Sequence, residues 1–95
     1  MAKAIVDGVV IAETNNFEVV EGNIYFPPDS INREYFTDTS LNTTCPWKGV
    51  ASYYTVTVGD KVLDNAAWYY PTPKNAASNI RDHVAFYTNK VKVER

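Results

Sequence analysis

The sequence predicts one mainly β domain, with two packed antiparallel sheets or a partly open barrel and one or two short helices. Three observations support this fold class. Short runs of β-branched and aromatic residues recur along the chain, and turns containing glycine or proline separate them. Of the 95 residues, 45% are hydrophobic, which suffices for one core. A β-tent-like arrangement is one form of this class, and residues 1–95 are expected to form a single domain.

The first third of the chain predicts two hairpins. Asp7-Gly8 favours a type I′ turn, because both positions of that turn need a positive φ. Glu21-Gly22 is the second turn. The runs that flank these turns are residues 3–6 and 9–13 around the first, and residues 17–20 and 23–26 around the second.

Pro27-Pro28 ends the second hairpin, because proline cannot donate to a sheet ladder. Asp29 or Ser30 is then expected to cap a single helical turn over residues 31–34. Residues 35–44 are polar and rich in threonine, and they predict a loop with at most one short strand.

Residues 50–58 predict the clearest strand, because their side chains alternate regularly. Gly59-Asp60 turns the chain, and residues 61–70 return antiparallel to the first strand until Pro71 and Pro73 end it. One face of the first strand carries Val50, Ser52, Tyr54, Val56 and Val58, and the other carries Ala51, Tyr53, Thr55 and Thr57.

The C-terminal quarter predicts a short helix over residues 75–81 and a last strand pair over residues 84–87 and 91–94. A helix continued through Tyr87 is the alternative, since Ile80, Val84 and Tyr87 also fit a helical stripe.

Charge and composition exclude several classes of partner. The net charge is −2 and no block of like charge occurs, which argues against binding to nucleic acid or to anionic membranes. Cys45 is the single cysteine, so no intramolecular disulfide forms, and a reducing cytoplasm is expected. Cys45 and His83 cannot supply the four ligands of a zinc site, and neither metal nor cofactor is expected. The N-terminus lacks the apolar segment of a signal peptide, and no run is long enough to span a bilayer.

Aromatic residues concentrate in the two central strands and in the turn before them. If the Gly59-Asp60 hairpin forms, its second strand lies beside the segment that begins at Cys45. Apolar walls with a few polar groups are typical of small-molecule pockets. The expected ligand-binding residues are Trp47, Lys48, Tyr53, Trp68 and Tyr70. The candidate catalytic residues are Cys45 and Lys48.

Each of these residues also has a structural interpretation. Trp47 and Trp68 could serve core packing alone, as paired aromatics in sheets often do. Cys45 is either a small apolar group or a thiol activated by Lys48. Lys48 is either a solvated turn lysine, whose loss would barely change stability, or a cation held beside the indoles.

Four segments resemble a known family, and together they cover nearly the whole chain. They are Tyr25-Phe26-Pro27-Pro28, the run from Cys45-Pro46-Trp47-Lys48-Gly49 to Tyr54, Ala67-Trp68-Tyr69-Tyr70-Pro71-x-Pro73, and Ile80-x-x-x-Val84-Ala85-Phe86-Tyr87. The sequence is similar to the domain-of-unknown-function family 427. The resemblance implies a small bacterial protein of the kind common in cyanobacteria and actinobacteria, where members are single domains or tandem copies.

The family is sometimes labelled nucleotidyltransferase. Polymerase-type nucleotidyl transfer needs paired carboxylates that hold Mg²⁺ ions, and no two acids stand one residue apart in this chain. Many relatives also carry an acid where this chain has Ser30.

Three functions follow from these observations. The first is a binding module for a small molecule, and it is the one we favour. The second is an enzyme that uses Cys45 as nucleophile or Lys48 as an electrophilic or Schiff-base group. The third is a protein-interaction module whose aromatics belong to the core. The sequence leaves the ligand and the oligomeric state open.

Overall fold

Nine strands in three antiparallel sheets make up most of the structure, a computed structural model that describes residues 1–95. The predicted mainly β class is confirmed, and the sheets form no closed barrel. The strands are β1 (Ala2–Val6), β2 (Val9–Thr14), β3 (Glu18–Val20), β4 (Asn23–Tyr25), β5 (Phe36–Cys45), β6 (Gly49–Val58), β7 (Lys61–Tyr69), β8 (Val84–Phe86) and β9 (Lys92–Glu94).

Both predicted N-terminal hairpins are confirmed. β1 pairs with β2 through Asp7 and Gly8, whose φ angles are 49° and 79°. β3 pairs with β4 through Glu21 and Gly22, whose φ angles are 54° and 78°. Positive φ at both central positions is the requirement of the type I′ turn, which is why these dipeptides could be recognised in the sequence.

The largest sheet has the order β5-β6-β7-β8, and its centre is the hairpin predicted at Gly59-Asp60. Val58 faces Lys61 across that turn, as expected. The prediction of a loop over residues 35–44 was wrong, because Phe36–Cys45 is a ten-residue strand paired with β6. β5 is an edge strand, so most of its polar residues, four threonines and one asparagine among them, face water and conceal the strand pattern.

The helical predictions need correction. Residues 31–34 form no capped helical turn; instead, 3₁₀ turns lie at Pro28–Ser30 and Arg33–Tyr35, and neither has a side-chain cap. Ile31, between them, is buried and bridges to Ala12 of β2. Burial of the Ile31 side chain therefore holds the backbone extended there, although Asp29 and Ser30 favour a helix cap.

The C-terminal segment also differs from its prediction. The expected helix over residues 75–81 is a kinked 3₁₀ segment, Asn75–Ile80. The two final strands form, but β8 pairs with β7 and β9 pairs with β1 rather than with each other. The alternative helix through Tyr87 is wrong as well. No helix in the fold is long and apolar enough to cross a bilayer.

The core consists of two clusters of buried side chains, and β6 contributes to both. Its alternating side chains send Tyr54 and Val56 into the main cluster and Ala51 and Tyr53 into the second. The second cluster is completed by Tyr25, Tyr70, Ala77, Ile80 and Ala85, with Cys45, Trp68 and Val20 packed against it. Most of the predicted site residues therefore border the second cluster.

Candidate functional site

Lys48 is the only charged residue that the fold buries, with 6% of its surface exposed. It lies in the turn between β5 and β6, and its carbonyl accepts a hydrogen bond of 2.8 Å from the Lys74 amide. The Lys74 ammonium reaches back to the carbonyl of Pro46 at 2.6 Å. The interpretation of Lys48 as a solvated turn lysine was therefore wrong, because the segment after β7 folds over the turn.

Glu21 forms an ion pair with the buried lysine. One carboxylate oxygen accepts a hydrogen bond from the Lys48 ammonium, and the other accepts one of 3.2 Å from Nε1 of Trp47. The side chain of Glu21 is 51% exposed, whereas that of Lys48 is 7% exposed. The pair thus joins a fixed, buried cation to an anion that remains in contact with water.

Two aromatic rings surround the ammonium. Nζ of Lys48 lies 5.3 Å from the centre of the Trp47 ring and 5.6 Å from that of Tyr70, both within cation–π range. Tyr70 is buried, and Trp47 is 40% exposed. Tyr25 is buried in the same cluster as Tyr70. We call the set Glu21, Tyr25, Trp47, Lys48 and Tyr70 the aromatic–lysine centre.

The charges of this centre shift one another's pKa. Hydrogen bonds from Lys48 and Trp47 lower the pKa of the Glu21 carboxyl. Burial alone would lower the pKa of Lys48, but Glu21 and the nearby phenol and thiol groups outweigh it, and the net direction is upward. Both groups are therefore ionised at neutral pH.

A ladder of aromatic side chains continues from the aromatic–lysine centre. Nε1 of Trp68 donates to the Tyr25 hydroxyl at 3.2 Å, and their rings meet edge-to-face at 6.4 Å. On its other side Trp68 contacts Tyr87, with ring centres 4.7 Å apart. Tyr87 stacks on Tyr53, and the shared hydroxyl contact with Tyr53 together with burial raises the pKa of Tyr87 to about 12.

The structure places the expected ligand-binding residues in one continuous region, at different depths. Trp47, Lys48 and Tyr70 are in direct contact, and Trp68 joins them through Tyr25. Tyr53 lies at the far end of the aromatic ladder. Of the two catalytic candidates, Lys48 is at the centre, while Cys45 is half-buried and packs against the second cluster.

An aromatic-lined pocket was expected near the turn that holds Lys48, but the two concavities of the fold lie elsewhere. Each has a volume of about 280 Å³. One is lined by Gly22, Asn23, Ile24, Phe86, Thr88, Val93 and Arg95. The other is lined by Val10, Ile11, Ala12, Glu13, Ser30 and Asn32. Neither concavity therefore lies between the side chains of the aromatic–lysine centre, Glu21 included.

Three residues of this region were not predicted from the sequence as site residues: Glu21, Tyr25 and Tyr87. Glu21 stands 27 positions before Lys48, and only the packing of the β3–β4 hairpin brings them together. Its one sequence signal is the Glu-Gly turn, which places its side chain at a hairpin tip.

Fold and site together define a small domain of three antiparallel β-sheets with a buried, ion-paired lysine among aromatic rings. The chain belongs to the family described as domain of unknown function (DUF427), whose sequence profile matches residues 1–95. The resemblance inferred from the four segments is thereby confirmed. A comparison with curated proteins finds no match.

The Glu21–Lys48 pair predicts a defined pH dependence. Because the pKa of Glu21 is below its ordinary 4.5 in the folded protein, its stabilising contribution is complete above about pH 4.5 and is lost as the pH falls further. We expect the difference in Tm between wild type and Glu21→Gln to be constant between about pH 6 and 8. The difference should shrink as the pH falls below 4.5. If the difference in Tm stayed constant down to a pH at which the Glu21 carboxyl is fully protonated, the ion pair would be contradicted.

Gly49 sets the position of Lys48, and its replacement should be costly. Its φ is +115°, and an added Cβ would lie 3.4 Å from the carbonyl oxygen of Thr72. We expect Gly49→Ala to lower the free energy of unfolding by about 1–3 kcal/mol. Gly59→Ala is the control, since its φ of +58° is left-handed helical and no atom lies within 4 Å. Urea denaturation should rank Gly49→Ala as the more damaging change, and an equal cost would refute the special role of Gly49.

Proposed function

We propose that this domain is a binding module for a small molecule, and that the aromatic–lysine centre is its site. The observation that carries the proposal is the buried ammonium of Lys48, held beneath aromatic rings and closed from the solvent side by Glu21. Burial of an ion costs several kcal/mol, and a well-packed apolar residue often serves stability as well or better. Packing alone therefore accounts poorly for a lysine at this position.

The composition of the centre supports binding. Rings, one cation and few other polar groups are typical of sites in which apolar walls hold a ligand and a charge orients it. Trp47 is the one ring of the centre with a large exposed fraction, 40%, so a ligand can reach it from solvent. Since no open cavity lies there, the ligand must take space that Glu21 now holds.

The protonation state of Lys48 favours binding over covalent catalysis. A lysine that forms a Schiff base must be present as the free amine, which requires a lowered pKa. Here the pKa of Lys48 is raised, because Glu21 and neighbouring groups outweigh its burial. The lysine is thus an ammonium, the form that binds an anion.

The proposal is tested by a thermal-shift screen of metabolites on wild type, Lys48→Met and Lys61→Met. Lys61 is the control, because it is exposed and pairs with Asp7 at 3.3 Å far from the centre. A ligand at about 100 times its Kd adds about 2.7 kcal/mol to the free energy of unfolding and raises the Tm. We expect hits whose shift is lost in Lys48→Met and kept in Lys61→Met. Shifts that survive in Lys48→Met would place the site elsewhere.

One observation favours a second candidate, a protein-interaction module. β5 is a ten-residue edge strand, its outer side is unpaired, and it contains neither lysine nor proline. Edges of this kind can pair with an extended segment of another chain. If no small molecule raises the Tm, a partner that protects the β5 amides from hydrogen exchange would support this candidate instead.

A further inference from the structure

We infer that the ligand of the aromatic–lysine centre carries a carboxylate on a planar ring, and that Glu21 occupies the position of that carboxylate in the ligand-free protein. The inference rests on the proposed function, because it names the class of ligand for the same site. It is carried by the way in which the two oxygens of Glu21 are bound.

The side chain of Glu21 is held as a bound carboxylate would be. Its Oε1 accepts from the Lys48 ammonium and its Oε2 accepts from Nε1 of Trp47 at 3.2 Å. A cation and an N–H donor that together engage both oxygens form a strong, geometrically specific anion site. Lys48 pairs with no other acid in the fold.

Glu21 and Lys48 differ in their freedom to move. Glu21 is at the tip of a hairpin whose strands, Glu18–Val20 and Asn23–Tyr25, are three residues long and form a sheet of their own. Its φ of 54° is a left-handed conformation that disfavours residues with a Cβ. Its carboxylate is half exposed already and can swing into water, whereas Lys48 is fixed within the fold. An exogenous carboxylate can therefore replace Glu21 without moving the lysine.

The rings define the rest of the ligand. The Trp47 and Tyr70 rings lie 5.3 and 5.6 Å from the ammonium, and Trp47, whose Nε1 binds at the anion position, is 40% exposed. Flat rings stack on aromatic faces with favourable offset geometry. The carboxylate is thus expected on a planar, apolar body of one or two rings.

The test uses benzoate as the anionic probe and benzamide as its neutral counterpart, titrated calorimetrically into wild type, Glu21→Ala and Glu18→Ala at constant ionic strength. If Glu21 leaves its position about 1–10% of the time, removing it raises the apparent affinity by about 10- to 100-fold. We expect that gain for benzoate with Glu21→Ala and none for benzamide. Glu18→Ala makes the same charge change on the same hairpin, where Glu18 accepts only from Asn79, and should produce no gain.

Two further variants keep the test decisive. Glu21→Gln, which retains a hydrogen-bonding side chain, should show a smaller gain in the same direction and serves if Glu21→Ala does not fold. Adding Lys48→Met to Glu21→Ala should abolish the gain, because the ammonium is the anion's partner. No gain with either Glu21 variant, an equal gain for benzamide, or a gain for phenyl phosphate without one for benzoate would overturn the inference.

The outcomes also separate this inference from the proposed function. If the metabolite screen yields neutral ligands that depend on Lys48 while Glu21→Ala gains nothing for benzoate, the binding function stands and the ligand class is wrong. If Glu21→Ala binds benzoate more tightly but no metabolite raises the Tm of the wild type, the anion position stands and the binding function fails.

Discussion

Trp68→Ala should lower the free energy of unfolding by about 2–4 kcal/mol, somewhat below the cost of truncating a fully buried aromatic, because Trp68 is partly buried against the second cluster. Trp68 packs against Tyr25 on one side and Tyr87 on the other, with ring centres 6.4 and 4.7 Å away. Its loss also removes the indole N–H that donates a hydrogen bond to the hydroxyl of Tyr25, whose side chain is fully buried. Urea denaturation followed by circular dichroism measures the effect without relying on tryptophan emission.

Trp47→Ala is the matched control for this prediction. Trp47 is 40% exposed, so its truncation should cost less than about 1.5 kcal/mol while still weakening ligand binding. Trp68→Phe, which keeps a ring in place, should recover part of the lost stability. Equal costs for the two Trp→Ala variants would mean that the packing of Trp68 against the second cluster adds little to stability.

The second large effect concerns Lys48 and separates packing from charge. Lys48→Ala should cost about 2–4 kcal/mol, because it removes a buried aliphatic stem and leaves a cavity. Lys48→Met fills that space and should cost less than about 1.5 kcal/mol. Glu21, left without its partner, is half exposed and returns to water. Thermal and urea denaturation of both variants measure these costs.

Ligand binding should respond differently from stability. Both Lys48 variants should lose an anionic ligand equally, because neither retains the ammonium, although only Lys48→Ala is strongly destabilised. Lys61→Ala, at an exposed ion pair, should change stability by no more than about 0.5 kcal/mol and leave binding intact. If Lys48→Met retains full ligand affinity, the lysine has only a packing role.

Most of the strand framework could be predicted because turn chemistry and alternation are local. Asp7-Gly8, Glu21-Gly22 and Gly59-Asp60 each mark a hairpin that the structure contains. β5 was missed because an edge strand buries little, so its polar residues have no reason to alternate with apolar ones. The partners of β8 and β9 could not be predicted, since β9 returns to β1 across the whole length of the chain.

The site was predictable in part for the same reason. Trp47, Lys48 and Tyr70 meet because the β6–β7 hairpin aligns the two chain segments that carry them, and that hairpin is visible in the sequence. The burial of Lys48 could not be predicted from the sequence, because it depends on residues 72–74 crossing the turn. Glu21 belongs to a separate sheet, and no local signal pairs it with a lysine 27 positions later.

Binding of a carboxylate ligand by the aromatic–lysine centre through Lys48 can be followed at the two indole N–H signals in a ¹H–¹⁵N correlation spectrum. Benzoate is titrated into wild type and Glu21→Ala. We expect the Trp47 indole signal to move most, since its acceptor changes from Glu21 to the ligand. The Trp68 signal should move less, because its acceptor, Tyr25, stays in place. Indole signals that stay fixed at saturating benzoate in both proteins, or shifts confined to the cavity lined by Thr88 and Val93, would contradict binding at this centre.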